Sequence, residues 1–251
     1  PMPKAFAVPV HYYWQFMEEN GFQQWIADML ADEQFRNDSA VRERRLQELR
    51  DAMVEAPVDP DFESLLKQKL EQDYPGIRLR FRSSTNAEDL EGFTGAGLYI
   101  SWTGALADPR RPVLDAVRQV WASVWFYRAF EERSYRSIDH QKVGMALLVH
   151  RSFPEEEANG VALTANPFDT SGLEPGFYIN VQRGEGSVVK PKPGESSDQF
   201  IYHFGFPGQP MVFIARSNLV PAGCTVLTNA QVYKLGLALE AIHEYFRPVY
   251  G

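Results

Sequence analysis

The chain has 251 residues, of which 44% are apolar and 23% charged, enough to bury a sizeable core as one large domain or two lobes. The formal net charge of −8 argues against a nucleic acid or an anionic membrane as partner, so a bound anion would need a local basic site. The single cysteine, Cys224, excludes an internal disulfide and cysteine-rich zinc sites. With no apolar run long enough for a membrane span and no signal pattern, a cytoplasmic protein is expected.

The first third of the chain has the apolar spacing of amphipathic helices. Asp38 and Ser39 are candidate caps, and Leu46, Leu49 and Met53 follow at spacings of three and four residues. Helices are predicted for HYYWQFMEENG, FQQWIADMLADEQF, DSAVRERRLQELRDAMVEA and DPDFESLLKQKLEQDYPG.

The middle of the chain changes to strand patterns. IRLRFR and LYISWTG alternate apolar and polar residues, as half-buried strands do. One long helix is predicted from RPVLDAVRQVWASVWFYRAFEERSYRSI, in which Trp121 and Trp125 are expected to be core residues. GMALLVH is nearly unbroken in its apolar character, which predicts a central strand covered on both faces.

The last hundred residues combine short strands with a final helix. Strands are predicted for NGVALTA, GFYINVQ, DQFIYHF and MVFIARS, and the helix NAQVYKLGLALEAIHEYF is capped by Thr228 or Asn229. The order of elements predicts an α+β (mixed α/β) fold. A boundary near HRSFP divides it into a first lobe, residues 1–150, and a second lobe, residues 151–251.

The stretch RSSTNAEDLEGFTGAGLY begins at Arg82 and is rich in small residues. An arginine at a strand end can fork two N–H bonds onto a phosphate, and Ser83, Ser84 and Thr85 add hydroxyl donors. Glycine turns let backbone N–H groups approach an anion closely. The alternative is a glycine-rich hairpin in which Arg82 pairs with Glu88. From the residues alone both interpretations stay open.

The same stretch closely resembles the phosphate-binding segment of the nucleotide-binding domain of phosphoenolpyruvate synthase and pyruvate, phosphate dikinase. Similar segments occur in glucan water dikinases and rifampicin phosphotransferases. Other pieces follow in the family's order: KAFAVPVHYYWQFMEENG, VWASVWFYRAFEERSYRSIDHQKVGMALLVH, ANGVALTANPF and YINVQRGEGSVV. The resemblance covers essentially all of residues 1–251. It implies an ATP-grasp-like fold, in which two α+β lobes clasp ATP.

The resemblance carries phosphate-binding roles onto residues of that stretch. Arg82 corresponds to the arginine that contacts the nucleotide phosphates, which makes it the candidate catalytic residue. Ser83 and Thr85 lie beside it as candidate ligands. Gly97, and less directly Gly95, corresponds to the glycine that lies over the phosphates.

The adenine-binding roles fall on the apolar strand. The family's strand offers backbone groups to adenine, which carries onto Leu148, Val149 and His150. The family usually has glutamine where this chain has His150. A backbone contact tolerates that change better than a side-chain contact would.

The implied activity is transfer of phosphate from MgATP to a histidine on a carrier domain, and from there to pyruvate. The family's phosphate-binding lysine lies upstream of the matched region and Lys4 is not its equivalent. The Mg²⁺-binding carboxylate, the Gln-x-Arg motif, and the phosphohistidine and pyruvate-binding domains lie downstream. The piece alone is therefore expected to be inactive, with its metal ligands outside this chain.

Two alternatives remain. The RGEGSVV loop departs from the family's GLGE pattern, which would suit a degenerate, non-catalytic nucleotide-binding or regulatory module. An ATP domain of a glucan dikinase or an antibiotic phosphotransferase would use similar motifs. The scattered histidines are predicted to be structural or surface residues, with His140 as a helix cap, and Cys224 is predicted to be buried.

Overall fold

The computed structural model describes residues 4–87, 89–90, 93–95, 97–153, 155–169, 171–184, 188 and 191–250. The chain forms two compact units, residues 1–153 and residues 154–251. Within the described residues no helix is both long and apolar enough to cross a lipid bilayer.

The first unit begins with helices and continues with alternating strands and helices. Its elements in chain order are β1 (Ala5–Val8), α1 (Val10–Glu19), α2 (Phe22–Ala31), α3 (Glu33–Asn37), α4 (Ser39–Glu55), α5 (Pro60–Asp73), β2 (Leu79–Thr85), β3 (Asp89–Leu90), β4 (Phe93–Thr94), β5 (Trp102–Gly104), α6 (Val113–Ala122), α7 (Tyr127–Tyr135) and β6 (Met145–Arg151). The helical first third and the strand in IRLRFR are confirmed. Of LYISWTG, only the end forms a strand, β5.

Aspartate side chains begin three consecutive helices among the described residues. Asp32, Asp38 and Asp59 each accept hydrogen bonds from backbone N–H groups in the first turn of α3, α4 and α5. The predicted cap at Asp38 is confirmed. Asp32 has extended backbone dihedrals and splits the predicted helix FQQWIADMLADEQF into α2 and α3, because its carboxylate competes with continuation of the helix.

The strands of the first unit form an antiparallel sheet in the order β1-β6-β2-β5. Arg82 pairs with Leu148, and Arg80 pairs with His150 on one side and Thr103 on the other. Strands β3 and β4 form a separate two-stranded ladder. Because side chains alternate along each strand, this register assigns every residue to one of two faces.

Helices cover one face of this sheet and leave the other open. Helix α1 packs on β6, and α6 packs on β2, β5 and β6. Phe81, Leu147 and Val149 are buried beneath them. Trp121 lies in an aromatic cluster with Phe16 and its neighbours. The prediction that Trp121 and Trp125 are core residues is confirmed.

Strand β6 is covered on one face only. Met145, Leu147 and Val149 are fully buried, whereas Leu148 between them is 42% exposed. The prediction of a strand covered on both faces is therefore wrong for this unit. The reason is that the sheet is antiparallel with helices on a single side, so an apolar residue on the open side remains in contact with solvent.

The predicted long helix is broken into two. Helix α6 ends at Ala122, a 3-10 turn follows, and Phe126 leaves the helical region with φ −59° and ψ 137° before α7. At the turn, the Ser123 hydroxyl donates to the Val120 carbonyl at 2.6 Å. The buried Trp125 indole donates to the Tyr13 hydroxyl at 3.2 Å. The apolar stripe continues through the break, so spacing alone could not reveal it.

A buried polar cluster joins α7 to the segment before β6. Arg133 is fully buried, and its Nε donates to His140 Nδ1 at 3.3 Å while its Nη1 donates to the Tyr99 hydroxyl at 3.2 Å. Burial and then the charge of Arg133 lower the pKa of His140 to about 3. His140 is thus a neutral acceptor, and Asp139, not His140, caps the turn.

The second unit is an antiparallel meander with one long helix. Its elements are β7 (Ala158–Leu163), β8 (Phe177–Arg183), β9 (Asp198–Tyr202), β10 (Met211–Ala215) and α8 (Asn229–Tyr250), with strand order β10-β9-β8-β7. The four predicted strands and the final helix are confirmed. Ile179 and Phe200 pack with Val232 and Leu239 of α8 in the core. Thr228 Oγ1 accepts from Gln231 N and so caps α8, as predicted.

The other face of this second sheet carries aliphatic side chains beside polar ones, since Val161 pairs with Asn180, and Asn180 pairs with Gln199. Val161 and Leu163 on β7 are 44% and 45% exposed, and Val212 on β10 is 53% exposed. The register places Val212 beside Ile201.

The loop that follows β10 is tied to the sheet by a buried carboxylate. Asp198 accepts hydrogen bonds from Ser217 N at 2.9 Å and Val226 N at 2.7 Å. Within this loop Cys224 is exposed, so its predicted burial is wrong. A backbone hydrogen bond from Cys224 N to Pro221 O places the residue in a surface turn. The two units together confirm the α+β class, consistent with an ATP-grasp-like nucleotide-binding domain.

Candidate functional site

Strand β2 presents basic side chains on the open face of the first sheet. Leu79 and Phe81 point toward the helices and are buried, while Arg80 and Arg82 alternate with them. Arg78, directly before the strand, continues the row at the same two-residue spacing. Alternate residues on a strand lie roughly 7 Å apart, so these guanidinium groups can contact different parts of one extended anion.

Arg82 lies beside an apolar patch. Its partner across the ladder is Leu148 of β6, and the partner of Leu148 on β1 is Ala7. One step along, Ser84 pairs with Ala146. The alanines have short side chains, so Leu148 is accessible and forms a flat apolar floor next to a permanently charged group.

The neighbouring row contains Arg80. It pairs with His150 of β6, which pairs in turn with Ala5 of β1. On the other side, Arg80 Nη1 donates to Thr103 Oγ1 of β5 at 3.0 Å. This bond holds one nitrogen of the guanidinium at the β2–β5 edge.

Ser83 and Thr85 lie on the opposite face from Arg82. They pair with the buried residues Leu147 and Met145, and so point to the helix-covered side. Thr85 Oγ1 also accepts a hydrogen bond from Ala87 N at 3.2 Å. The structure therefore does not bring these two hydroxyls together with Arg82, and their role as ligands stays a prediction.

The glycines belong to a turn that leads toward β5. Leu98 N donates to the Gly95 carbonyl at 3.0 Å, and Gly97 has a φ of +76°, which favours glycine. Apart from its chain neighbours, no atom of the described residues lies within 4 Å of a Cβ built on Gly97. Gly97 is exposed, whereas Gly95 is buried, and the described contacts do not join this turn to Arg82, so its place over a phosphate stays a prediction.

The backbone of Leu148, Val149 and His150 lies inside the sheet. All three residues pair with β1 on one side and β2 on the other. Val149 is fully buried on the helix side, so it offers no side chain to the open face. The predicted backbone contact to adenine stays a prediction, and pairing with β2 continues past His150, since Arg151 pairs with Leu79 and Ser152 N donates to the Arg78 carbonyl at 2.8 Å.

The end of β6 carries aromatic and basic side chains. His150 Nδ1 lies 2.7 Å from the Arg151 carbonyl, which accepts if that nitrogen is protonated. The Arg151 guanidinium lies 5.6 Å from the centre of the Phe153 ring, a cation–π contact. Phe153 lies just past the end of β6, the strand that carries Leu148 on the open face.

Some residues of the glycine-rich stretch are outside the described part of the chain. Glu88 and Gly92 are among them, and the side chain of Asp89 is not described. The alternative that Arg82 pairs with Glu88 therefore involves one residue, Glu88, that lies outside the described part of the chain.

The chemistry of the open face is that of anion binding. Arginine is permanently charged and presents planar pairs of N–H donors that match phosphate oxygens. Among the described residues, no group of three or more His, Cys, Asp or Glu side chains could hold a metal ion.

Fold and open face together define an α+β domain in which arginines of β2 lie beside an exposed leucine of β6. The family model described as pyruvate phosphate dikinase, AMP/ATP-binding domain, matches residues 1–202. The chain therefore belongs to the pyruvate phosphate dikinase AMP/ATP-binding domain family, as its motifs predict.

Curated relatives carry related names. The phosphoenolpyruvate synthase of Pyrococcus furiosus is 31% identical over 241 residues, which cover 92% of this chain and 27% of that relative. The probable phosphoenolpyruvate synthase of Methanothermobacter thermautotrophicus is 32% identical over 177 residues, 66% of this chain and 25% of that relative. The Escherichia coli phosphoenolpyruvate synthase is 25% identical over 206 residues, with 80% and 25% covered. The chain thus spans about a quarter of the length of these relatives.

The predicted set omits two residues that share the open face with Arg82. Arg80 lies two positions before it and Ser84 two positions after it. The period of two in a strand was the signal that could have found both, because it places Ser84, rather than Ser83 or Thr85, on the face of Arg82.

Proposed function

We propose that this chain is the ATP-binding region of a phosphoenolpyruvate synthase-type phosphotransferase. In the intact enzyme it takes phosphate from MgATP for transfer to a histidine carrier domain and on to pyruvate. The carrier and pyruvate-binding domains of the same protein are its partners, and its location is cytoplasmic.

One observation carries the proposal. Arg82 occupies the open face of β2 directly across from the exposed side chain of Leu148, in a domain of the AMP/ATP-binding family. A guanidinium beside an accessible apolar surface matches the two halves of a nucleotide, one charged and one planar.

The roles follow from that placement. Arg82 binds phosphate oxygens and offsets the charge that moves during phosphoryl transfer. Leu148, with Ala5 and Ala7 beside it, packs against the base or ribose. Because the backbone of β6 is paired on both sides as far as His150, main-chain contacts to the base come from the residues after it.

The open face does not fit a metal ion. Its described polar side chains include arginines, which repel a cation, and hydroxyls, which are weak ligands without carboxylates. We therefore derive no step through Mg²⁺ from these residues.

The test is Arg82→Ala in the complete natural protein. Loss of one charge-assisted phosphate contact is expected to lower kcat/KM for ATP at least a hundredfold. Arg44→Ala is the matched control, because Arg44 is an exposed arginine on α4 whose ion pair with Glu48 lies on a helix surface. Near-wild-type turnover and ATP affinity in Arg82→Ala would rule out the assignment.

A second candidate is a non-catalytic nucleotide-binding or regulatory module of the same fold. His150 favours it, since this residue replaces the family's glutamine and its ring contacts the Arg151 carbonyl. Such a module would bind a non-hydrolysable ATP analogue through Arg82 but show no turnover in the complete protein. An acceptor other than pyruvate, a glucan or an antibiotic, would instead give turnover with that acceptor alone.

A further inference from the structure

A groove lies among the helices on the covered side of the first sheet. Its volume is about 610 Å³, within the range of small-molecule sites. Most of its described lining comes from α1, α2 and the segment 139–142, which includes the 3-10 turn before β6. The nucleotide site proposed above lies on the open face of the same sheet, and none of its residues is in the described lining of the groove. The two sites are therefore separate.

The floor of the groove is apolar and largely aromatic. Met17, Ile26 and Trp125 line it and are each no more than 3% exposed. Trp14 of α1 is half-buried and adds a second indole with more accessible surface. The Trp14 ring packs closely on Gly144, where a Cβ would lie 2.8 Å from Trp14 Cζ2, and the Trp125 indole is held by its hydrogen bond. Two indoles held in place offer a stacking surface to a flat ligand.

His140 also lines the groove and adds ring surface without charge. Its Nδ1 accepts from Arg133 Nε, so the neutral ring carries its proton on Nε2, which donates to Ser134 Oγ at 3.0 Å. The Ser134 hydroxyl donates in turn to the Phe130 carbonyl at 2.9 Å. Burial lowers the pKa of His140 to about 3, so the ring is neutral at physiological pH. Both ring nitrogens are engaged, and what the groove receives from His140 is an uncharged ring surface.

The polar side chains of the groove carry no net charge. Asp139 and Lys142 form an ion pair at 3.4 Å, so the charged groups of the described lining balance. The Asn86 side chain is already engaged, because it donates to the Lys142 carbonyl and accepts from a backbone N–H. By contrast, the side-chain amides of Gln23 and Gln141 make no hydrogen bond within the described part of the chain. These two amides reach the groove from different elements, one from α2 and one from the turn before β6.

The ligand chemistry follows from this lining. A side-chain amide has one acceptor oxygen and two N–H donors, so two available amides match a ligand edge that places a donor beside an acceptor. The indoles match a flat ring, and the balanced ion pair gives no net attraction to a charged group. We propose that this groove binds an uncharged planar heteroaromatic molecule with a carboxamide or lactam edge, independently of the nucleotide at Arg82.

The test is titration of the full chain with nicotinamide, followed by ligand-observed NMR. Nicotinamide has a flat heteroaromatic ring and an uncharged carboxamide, and nicotinate has the same ring with a carboxylate. Nicotinamide is expected to bind with a dissociation constant on the order of 1 mM, as suits so small a ligand. Nicotinate is expected to bind at least about tenfold more weakly, because its carboxylate loses hydration without gaining an unpaired cation. A saturating non-hydrolysable ATP analogue is expected to change the nicotinamide affinity less than about threefold.

Two amide substitutions test the polar side of the groove. Gln23→Ala/Gln141→Ala is expected to weaken nicotinamide binding at least about fivefold, through the loss of two hydrogen bonds. The matched control is Gln24→Ala/Gln47→Ala. It removes two exposed amides outside the described lining, which donate to Asp28 and Asp51. The control is expected to leave nicotinamide binding unchanged.

A tryptophan substitution tests the stacking surface. Trp14→Leu is expected to weaken nicotinamide binding at least about fivefold, whereas Trp102→Leu, which replaces an exposed indole of β5, leaves it unchanged. Circular dichroism checks that the variants remain folded. If Trp14→Leu does not fold, the amide variant still decides the outcome, because Gln23 and Gln141 are exposed.

Several results would overturn the proposal. One is the absence of saturable nicotinamide binding up to about 10 mM, which is tenfold above the expected dissociation constant. Equal binding of nicotinate, or equal weakening in the amide variant and its control, would do the same. Displacement of nicotinamide by the ATP analogue would mean that the probe occupies the nucleotide site. Binding of the analogue itself and the effect of Arg82→Ala report on the proposed function, so the two proposals can fail separately.

Discussion

The two sheets have the same strand number and the same helix-covered design, yet their open faces differ in chemistry. The open face of the first sheet carries Arg80 and Arg82 beside a small apolar floor. The other face of the second sheet carries exposed aliphatic side chains such as Val161 and Val212 beside uncharged amides such as Asn180. Only the first carries permanent charge on its strands, which is why we propose the anion site there.

The difference shows how strand alternation separates stability from function. On β2 the residues at odd positions, such as Phe81, hold the sheet to the helices. The residues between them are free of packing demands and can be basic. The function of the open face can therefore change without altering the core.

The largest effect is expected on the covered face of β2. Phe81→Ala removes a fully buried ring and is expected to lower the free energy of unfolding by about 3–5 kcal/mol. Arg82→Gln, one residue along, is expected to change it by less than about 0.5 kcal/mol while weakening ATP binding. Urea denaturation of the two variants of the full chain measures both changes in the free energy of unfolding. A large loss of stability in Arg82→Gln would contradict the separation.

A second prediction concerns the point where α1 packs at the start of β6. A Cβ on Gly144 would lie 2.5 Å from Val10 Cγ2 and 2.8 Å from Trp14 Cζ2. Gly144→Ala is therefore expected to destabilise the chain by about 1–3 kcal/mol through overpacking. Gly172→Ala is a useful comparison for crowding, because a Cβ there meets nothing within 4 Å and its cost comes from φ alone. Unchanged thermal stability in Gly144→Ala would show that α1 can shift.

Much of this fold could be predicted from periodicity, because helices such as α4 and strands such as β8 bury a regular stripe. The break at Phe126 could not be predicted, since it contains no proline or glycine and depends on the distant partner Tyr13. At the site, the motif identified Arg82, but the face of Ser83 and Thr85 depends on the register with β6. Arg80 and Ser84 could have been found from the two-residue period of β2, which places them on the face of Arg82.

The third prediction is a pH dependence that involves the buried cluster. His140 has a pKa of about 3 in the folded chain, below its ordinary value of 6.5. Between pH 6.5 and pH 3, His140 is protonated in the unfolded chain but neutral in the folded chain. The contribution of His140 to the free energy of unfolding is therefore fully present above pH 6.5 and is lost as the pH falls. Between pH 7 and pH 5.5 the contribution is about 1 kcal/mol.

Denaturation curves across that range test this. His140→Gln is expected to flatten the dependence, whereas His11→Gln, at an exposed position, should leave it as in the parent chain. An identical slope in the parent and in His140→Gln would exclude His140 as its source.

The smallest effect is expected on the open face of the second sheet. Val212→Thr adds a hydroxyl to a half-exposed side chain and is expected to change the free energy of unfolding by less than about 0.5 kcal/mol. Val181→Thr on the covered face buries the same hydroxyl and is expected to cost about 1–3 kcal/mol. Equal effects by thermal denaturation would mean that both faces are packed.

The carboxylate of Asp198 has a consequence for how the second unit can vary. It holds Ser217 and Val226 to the same strand, so the residues between them form a segment whose two ends are fixed to one point. Such a segment can be lengthened or exchanged at little entropic cost, because the cost of closing a loop grows only with the logarithm of its length. Related chains can therefore carry different loops here on an unchanged sheet, provided that the aspartate is retained.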